Sequence, residues 1–399
     1  MTAPIQLDNE ERHRRIGRRH RLAAPHRTDD VTTIADSIVA LHASDPPSVY
    51  RSAWARMETP TIDAVDAALY DDRSLIRHHA MRRTIWVMTR AVTIEANASS
   101  TRKIAAAERR KLLQWLTASD EVSNPERWLA DATDRVVDAI HEAGTLTTRE
   151  LGARLPDIVI ELTAAPGTKW ATAVHAHTRV PFIAAIEGRL IRARPIGGWT
   201  AGQFHWAVAH DWAPGLDLTA ETMPTPDGSA ALMHRVLTAF GPATAADLQW
   251  WTGWTKTQTV AALDAVRATA VTLQDGSDAW TADGDVESTP AVDSWVALLP
   301  ALDPTTMGWK QRAWYLDDDI AARIFDTSGN AGPTVWADGR IVGGWAQRRD
   351  GEIALELLRD LGGDHRALLQ QEIDRLTTLV GPSRFTVRFP SPSSRDLAR

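Results

Sequence analysis

The sequence predicts an α+β protein with more helix than strand, in which three tandem winged-helix units are followed by a small β-barrel. Residues 30–90 show the pattern of three helices and a β-hairpin. The segment Gly144–Leu151 recurs as Gly241–Leu248, each time between an amphipathic helix and a strand pattern. After Val292 the pattern changes to short strands and one helix. We therefore divide the chain into winged-helix units at 1–120, 121–212 and 213–290 and a barrel unit at 291–399.

The composition is that of an ordinary globular protein and excludes several classes of function. Of the 399 residues, 44% are hydrophobic and 24% are charged, and none is cysteine. The absence of cysteine excludes disulfide bonds and thiolate chemistry. Residues 1–27 are rich in arginine and contain no apolar segment that would indicate a signal peptide. No uncharged stretch is long enough to span a membrane, so we expect a cytoplasmic protein.

The charge is distributed unevenly along the chain. The net charge is −7, yet residues 1–120 contain 19 Lys and Arg against 15 Asp and Glu, and the rest contain 25 against 36. A basic N-terminal third on an acidic body indicates a local anion-binding surface. The alternative is that the charged run Glu11–Arg21 is only the solvated start of a helix.

The first helix of the first unit is predicted from apolar residues at helical spacing. Between Val31 and Val39 they recur along one face, and His42 is the next position on that face. We expect Pro46 to stop this helix. His42 and Ser44 would then converge where the chain unwinds, at the helix terminus.

The remaining elements of the first unit follow from caps and strand patterns. Ser48 and either Thr59 or Thr61 are candidate helix caps. The predicted elements are helices over Ser48–Met57 and Thr61–Tyr70, strands over Leu75–Arg77 and Thr84–Met88, and a long bracing helix over Arg90–Thr117.

The repeat predicts the second and third units. In each copy a threonine (Thr147 or Thr244) precedes an acidic residue (Glu150 or Asp247) at the spacing of a capping box. The flanking elements are helices over Arg127–His141 and Ala230–Ala239, and strand patterns over Gly188–Arg194 and Val271–Thr281. Residues 212–228 are rich in proline, aspartate and glycine and are predicted to form a linker loop.

Short strand patterns dominate the C-terminal unit. The dipeptide Asp338-Gly339 is typical of a tight hairpin turn. We expect strands over Trp295–Leu299, Ala313–Leu316, Thr334–Trp336, Arg340–Val342, Ile353–Leu357 and Phe385–Phe389, a helix over Leu368–Leu379 and a frayed tail over Ser391–Arg399.

The stretch Leu41–Pro47 is the candidate for chemistry. A basic ring at His42 and a hydroxyl at Ser44 would lie together, with the carboxylate of Asp45 beside them. The alternative is that His42 is an ordinary core or capping residue. The sequence contains no phosphate-binding glycine loop, no His-Glu-x-x-His metal motif and no nucleophile elbow. We expect His175, His177 and most of the tryptophans to be structural.

The sequence resembles the AlkZ/YcaQ-type family of winged-helix DNA glycosylases. The resemblance rests on Leu41–Pro47, Arg51–Arg56, Met81–Thr84, Leu299–Pro304, Gly308–Arg312 and Gly329–Trp345. It implies three winged helices and a β-barrel in a C shape around duplex DNA. The family's catalytic motif is Gln-Φ-Gln or Gln-Φ-Asp, where Φ is apolar. This chain has His42-Ala43-Ser44 there, a His-first variant of the motif.

The resemblance implies hydrolysis of the N-glycosidic bond of alkylated purines, including N7-alkylguanine, bulky adducts and crosslinks. His42 would activate a water, Ser44 would hold it, and Asp45 would stabilise His42 or the sugar cation. Because no lysine lies near the motif, we expect a monofunctional enzyme. The expected DNA-binding residues are Arg51, Arg82, Arg83, Lys310 and Arg312. We expect double-stranded DNA as partner, a place at the nucleoid, a monomer, and no metal or cofactor.

Two other classes of protein fit the same pattern. Winged helices often bind DNA without chemistry, so the chain could be a transcriptional regulator. Such a protein would bind one sequence specifically and release no base. A scaffold whose wings bind protein would show no affinity for DNA at low salt.

Overall fold

The first winged-helix unit combines short helices with a three-stranded sheet. The computed structural model describes residues 5–399, so residues 1–4 of the predicted first unit lie outside it. The elements up to residue 89 are β1 (Gln6–Leu7), α1 (Asn9–Arg19), α2 (Val31–Ser37), β2 (Leu41–His42), α3 (Pro46–Trp54), α4 (Ile62–Asp66), β3 (Leu75–Ala80) and β4 (Thr84–Thr89). The predicted hairpin is confirmed as β3 and β4, and β2 pairs antiparallel with β4.

The prediction that Leu41–Pro47 ends a helix is wrong. The helix α2 ends at Ser37, and Val39 adopts a positive φ of 66°, which a β-branched residue cannot hold inside a helix. His42 lies in the short strand β2. Pro46 does not stop a helix but begins α3, where its missing N–H costs nothing because first-turn N–H groups have no intrahelical partner.

The other elements of the first unit agree with prediction more closely. The hydroxyl of Thr61 accepts a hydrogen bond from the N–H of Ala64 and caps α4, which a π-helical turn over Ala67–Asp71 extends. The predicted bracing helix is confirmed as a continuous run made of α5 (Arg90–Ala96), a π-helical turn (Asn97–Thr101) and α6 (Arg102–Thr117).

The second and third units have the predicted helix and wing order. The second contains α7 (Pro125–Ala143), α8 (Thr148–Arg154), β5 (Glu161–Ala164), β6 (Thr172–His175), α9 (Ala176–Ile186), β7 (Leu190–Pro195), β8 (Phe204–Val208) and α10 (Ala209–Trp212). The third contains α11 (Thr225–Phe240), α12 (Ala245–Thr252), α13 (Lys256–Ala265), β9 (Thr269–Leu273) and β10 (Asp278–Thr281). Both capping boxes, at Thr147 and Thr244, are confirmed. The hairpin of β5 and β6 was not predicted.

The N-terminal segment packs against the third unit. Strand β1 pairs in parallel with β9, and the Arg15 and Arg19 side chains of α1 bind Asp285, just after β10. Residues 5–19 therefore extend the third unit, although they come first in the chain.

The C-terminal unit is an open sheet and not a closed barrel. Its elements are β11 (Val296–Leu299), α14 (Asp318–Ile324), β12 (Thr334–Ala337), β13 (Arg340–Gln347), β14 (Ile353–Leu357), α15 (Gly363–Val380) and α16 (Pro392–Leu397). Within the described residues these strands form one antiparallel sheet in the order β11-β12-β13-β14, with β11 and β14 at its edges. The hairpin at Asp338-Gly339 and the helix α15 are confirmed.

Three segments of this unit differ from prediction. Ala313–Leu316 is a turn, because Trp314 and Tyr315 bury their rings in the core and the Tyr315 N–H donates to the Arg312 carbonyl. Phe385–Phe389 is irregular. Residues 392–397 form a helix that Ser391 caps, and its Ser393 packs against Gly344, where any side chain would collide.

Buried hydrophobic residues among residues 5–399 form five clusters, of which two are large. The larger joins the first unit, the third unit and the C-terminal sheet, with Ile34, Phe240 and Leu298 among its members. The smaller belongs to the second unit and includes Leu116 from the end of the bracing helix and Val136 from α7. The second unit therefore has its own core. Among the described helices, none has the length and hydropathy needed to cross a lipid bilayer.

A buried ion pair joins the elements of the larger core. Arg56 donates to both carboxylate oxygens of Asp303, at 2.8 and 3.0 Å, and neither side chain is exposed. Burial raises the pKa of Asp303, but the charge and hydrogen bonds of Arg56 outweigh it and lower the pKa below 3.8. Arg56 also donates to Thr305, and the ring of His20 bonds Thr305 and the Ala239 carbonyl.

We predict that Asp303→Asn lowers the free energy of unfolding by about 3–5 kcal/mol, because it leaves the Arg56 cation buried without a counter-charge. Urea unfolding followed by tryptophan fluorescence measures this loss. The control is Asp157→Asn, which removes the partner of the half-exposed Arg135 and should cost less than about 1 kcal/mol. Equal losses in the two variants would contradict a structural role for the buried pair.

Candidate active site

The His42-Ala43-Ser44 motif begins in strand β2, at the edge of the first unit's sheet, and continues past the end of the strand. His42 lies opposite Trp86 of β4, and the Ala43 N–H donates to the Ile85 carbonyl at 2.9 Å. Ala43 is buried, whereas His42 and Ser44 are each partly exposed. The Ser44 N–H lies 3.5 Å from Nδ1 of His42, so the two residues meet at the end of β2 and not at a helix terminus.

The ring of His42 is neutral in this environment. Its edge packs against Trp86, with ring centroids 4.8 Å apart. Burial, the largest effect, and the charge of Arg82 together lower the pKa of His42 to about 3 against the opposing effect of Asp303. The Ser44 N–H points at Nδ1 from 3.5 Å, the upper limit of a hydrogen bond. With Nδ1 as the acceptor nitrogen, its single lone pair can bind a water only in place of this long contact.

Asp45 does not support His42. Its carboxylate is buried, and Oδ2 accepts hydrogen bonds from Ser48 at 2.7 Å and from Arg51 at 3.1 Å. The carboxylate whose charge acts on His42 is Asp303. Asp303 belongs to one of the segments that carried the resemblance, but nothing in the sequence indicated that it lies near His42.

Arg51 is not available to DNA in this structure. Only 1% of its surface is exposed, and its guanidinium lies 3.9 Å above the ring of Phe385. Its partner is Asp45, and the pair anchors the start of α3. Arg51 therefore supports the strand-to-helix connection that carries Ser44.

Two other predicted DNA-binding residues meet at one tryptophan. Arg82 lies 4.3 Å and Arg312 lies 5.3 Å from the ring centroid of Trp250. Arg82 comes from the wing of the first unit and Arg312 from the C-terminal unit. Burial and the nearby charge of Arg312 lower the pKa of Arg82, which still leaves it a cation. The wing and the C-terminal unit therefore contribute to one basic surface beside His42.

The other two predicted cations are exposed. Arg83 forms an ion pair with Glu108 of the bracing helix at 2.7 Å. The backbone N–H of Lys310 donates to Asp247, which holds the backbone at the junction with the third unit, and the Lys310 side chain is exposed. Arg83 and Lys310 are thus accessible, although part of the charge of Arg83 is neutralised.

Sequence reasoning also missed a cation of the site. Arg388 lies in the irregular segment after α15 and donates from Nη1 to the Ser44 carbonyl at 3.2 Å. It is 344 residues away in the chain, and its segment was predicted to be an ordinary strand. The alternation of polar and apolar residues around Arg388 is the one sequence signal that indicates a position of its side chain at the protein surface.

The chemical groups of the site are hydrogen-bonding side chains and guanidinium cations. The described residues include no cluster of three or more His, Asp and Glu side chains that could hold a metal ion. A neutral imidazole can accept a hydrogen bond from a water, and a neighbouring hydroxyl can hold the same water. The surrounding guanidinium groups can bind phosphates.

Comparison with known proteins gives one consistent result. The sequence model of the family described as "DNA glycosylase AlkZ-like" matches residues 35–379. A solved structure, Streptomyces sahachiroi DNA glycosylase AlkZ, is similar in fold, with a TM-score of 0.69 and 18% sequence identity over 95% of this chain and 98% of that chain. No curated protein sequence matches significantly.

We predict that the His42 ring stays neutral as the pH falls from about 8 to about 5. A pKa lowered from 6.5 to about 3 means that the ring gains its proton only near pH 3. An exposed histidine gains its proton near its ordinary pKa of about 6.5. The ring proton and nitrogen shifts of His42, measured by NMR on the free protein, should be constant over this range. His141 serves as the reference, because its hydrogen bond to Asp211 raises its pKa above 6.5. Titration of His42 near pH 6.5 would show that solvent reaches the ring freely and would contradict this prediction.

Proposed function

Because the chain belongs to the AlkZ-like DNA glycosylase family, we propose that it hydrolyses the N-glycosidic bond of alkylated purines in duplex DNA, with His42 and Ser44 placing the attacking water. The observation that carries this proposal is a neutral, partly exposed imidazole at the end of β2, near the N–H of a serine and next to a basic surface. The preferred substrates are N7-alkylguanines, including bulky adducts and crosslinked bases.

The substrate supplies most of the driving force. An N7-alkylated guanine carries a positive charge, so the bond between C1′ and N9 breaks with its electron pair moving to the base, which leaves as a neutral purine. The sugar becomes an oxocarbenium-like cation. The oxygen of a water then bonds to C1′, and one proton of that water must leave. The enzyme needs to place the water and accept this proton, and it needs no strong acid to protonate the base.

A weakly basic histidine suits this sequence of steps. A water bonded to the oxocarbenium carbon is strongly acidic, so a base with a pKa of about 3 in the free protein can still take its proton. Before the bond to the base breaks, the same lone pair on Nδ1 holds the water by a hydrogen bond. A charged imidazole would have no lone pair and would repel the sugar cation. The burial that lowers the pKa therefore keeps His42 in its useful form.

Ser44 contributes position. Nδ1 is the ring nitrogen nearest to Ser44, since it faces the Ser44 N–H. A water on Nδ1 is consequently close to the Ser44 hydroxyl, which can bond the same water as donor or acceptor. No lysine occurs in the stretch Leu41–Pro47, which favours water over an amine as nucleophile and a monofunctional enzyme.

We predict that His42→Ala lowers the single-turnover rate of N7-methylguanine release at least about a hundredfold, because the water loses its acceptor. His42→Gln should retain more activity than His42→Ala, since an amide oxygen can hold the water although it cannot take the proton. The measurement is base release from a duplex at saturating enzyme. His141→Ala, an exposed histidine of the second unit, is the control and should match the wild type. A wild-type rate in His42→Ala would remove His42 from the mechanism.

We predict that the protein releases cationic lesions and leaves uncharged ones in place. A panel of duplexes with N7-methylguanine, N3-methyladenine, a bulky N7-guanine adduct, an interstrand crosslink and uracil tests this through base release. The cationic purines should react, and uracil should give no release above background. Release from uracil alone would contradict the mechanism. No release from any duplex, together with tight binding to one undamaged sequence, would favour a transcriptional regulator.

A further inference from the structure

Three arginines from distant parts of the chain lie near one another beside the His42-Ala43-Ser44 motif. Arg77 is on β3 of the first wing, Arg192 is on β7 of the second wing, and Arg388 is in the segment between α15 and α16. Arg388 is exposed, Arg192 is half-buried and only 8% of Arg77 is exposed. Strands β3 and β7 pack against each other, and the Tyr70 side chain contacts both Arg77 of β3 and Arg194 of β7. The charges of Arg77 and Arg388 both act on Arg192. We call these three residues the arginine cluster.

The arginine cluster has no negative partner in the chain. Among residues 5–399, none of its three guanidinium groups forms an ion pair, and the buried Nε atoms of Arg77 and Arg192 have no hydrogen-bond partner. Arg77 donates to the Tyr70 hydroxyl, and Arg192 packs 4.3 Å from the ring of Phe204. A neutral hydroxyl and an aromatic face only partly replace the water that these cations lose.

Neighbouring arginines show that this lack of partners is local. Arg194 lies two residues further along β7 and forms ion pairs with Asp66 at 2.8 Å and Asp71 at 3.0 Å. Arg189, just before β7, pairs with Asp134. The chain therefore supplies carboxylates to the arginines on either side of Arg192 and leaves the cluster itself positive.

Like charges that are partly buried together favour an anion between them. Burial, with the charges of Arg77 and Arg388, lowers the pKa of Arg192 to about 9, so the group is a cation at neutral pH but an unfavourably placed one. A phosphate would relieve both the repulsion and the missing hydrogen bonds, because a guanidinium offers a planar pair of donors that matches two phosphate oxygens.

The cluster is joined directly to the strand that carries the motif. The same guanidinium of Arg388 that faces Arg192 donates to the carbonyl of Ser44. An anion held by the cluster would therefore lie close to the residue that holds the water, and the bond to Ser44 would keep Arg388 in place when no anion is bound.

We propose that Arg77, Arg192 and Arg388 form a phosphate-binding site that holds the DNA backbone beside His42 and Ser44. This inference rests on the proposed function and adds a positioning site to it. The second wing contributes Arg192, so the site also explains how a unit with its own hydrophobic core takes part in binding at the motif. A duplex DNA phosphate fits the site better than a free ion, because the cluster bonds the motif through Arg388 and Ser44, and the charge of Arg82 from the other basic surface acts on His42 of the same motif.

Fluorescence anisotropy with an undamaged duplex, measured across a series of salt concentrations, tests the proposal. The variants are Arg192→Gln and Arg388→Gln, with Arg192→Lys as a rescue and Arg194→Gln as the matched control on the same strand. Removing one phosphate-binding cation should lower the slope of log affinity against log salt by about one and weaken binding about tenfold at about 0.1 M salt. The lysine variant should restore the slope, and Arg194→Gln should leave it unchanged because its charge is already paired.

Single-turnover base release adds a second readout. Arg192→Gln should raise the enzyme concentration that gives half the maximal rate and change the maximal rate less than about threefold. Inorganic phosphate at millimolar concentration should displace the duplex from wild type and from Arg192→Gln to the same extent, because we expect the site to bind the DNA backbone and not the free ion. Circular dichroism checks the fold, and the exposed Arg388→Gln variant remains informative if Arg192→Gln does not fold.

The outcomes separate this inference from the proposed function. Unchanged salt slopes in both glutamine variants would overturn the phosphate site, whatever the rate of base release. A wild-type protein that binds duplex DNA with the expected slopes but releases no base would overturn the glycosylase proposal and support the phosphate site. A loss of binding in Arg194→Gln equal to that in Arg192→Gln would also overturn the site, because it would show only a dependence on net charge.

Discussion

The buried pair of Arg56 and Asp303 is the constraint on which the rest of the structure depends. Arg56 lies just after α3, the helix that follows β2, and Asp303 is on the loop after β11 in the C-terminal sheet. Removing two charges from water is costly, so such a pair depends on further hydrogen bonds to its remaining donors and acceptors. Here the Ser52 hydroxyl and the hydroxyl and N–H of Thr305 supply most of them, the buried Nε of Arg56 has no partner, and His20 continues the network to α11. The network therefore links four distant segments of the chain.

The same network also acts on the electrostatics of the motif. Asp303 raises the pKa of His42, but burial and the charge of Arg82 lower it by more, so the ring is neutral. Asp303 is itself held by Arg56. The ion pair that joins two units therefore also contributes a carboxylate that acts on the motif.

Local sequence signals predicted most of the elements but not the position of the motif or the composition of the site. The capping boxes at Thr147 and Thr244 and the turn at Asp338-Gly339 act over three or four residues, and all three were correct. The helical periodicity that continued to His42 was misleading, because the positive φ of Val39 is imposed by packing that no local pattern encodes. Arg51 looked like a surface cation until its partner Asp45 and the ring of Phe385 were placed. Contacts such as Arg388 with Ser44 join residues hundreds of positions apart, and a single sequence does not reveal them.

The distribution of charge suits a substrate that is itself positive. Cations at Arg82, Arg312 and the arginine cluster match the phosphates of DNA, whereas the group at the proposed reaction centre is uncharged. Positive charge at the reacting sugar would raise the energy of the oxocarbenium-like transition state. An unpaired carboxylate there would carry the free-energy cost of burying a charge. A neutral histidine with a lowered pKa avoids both costs. It remains able to take a proton at the moment when the bound water becomes acidic, so the weakness of the base is compatible with the reaction as long as the lesion itself is a good leaving group.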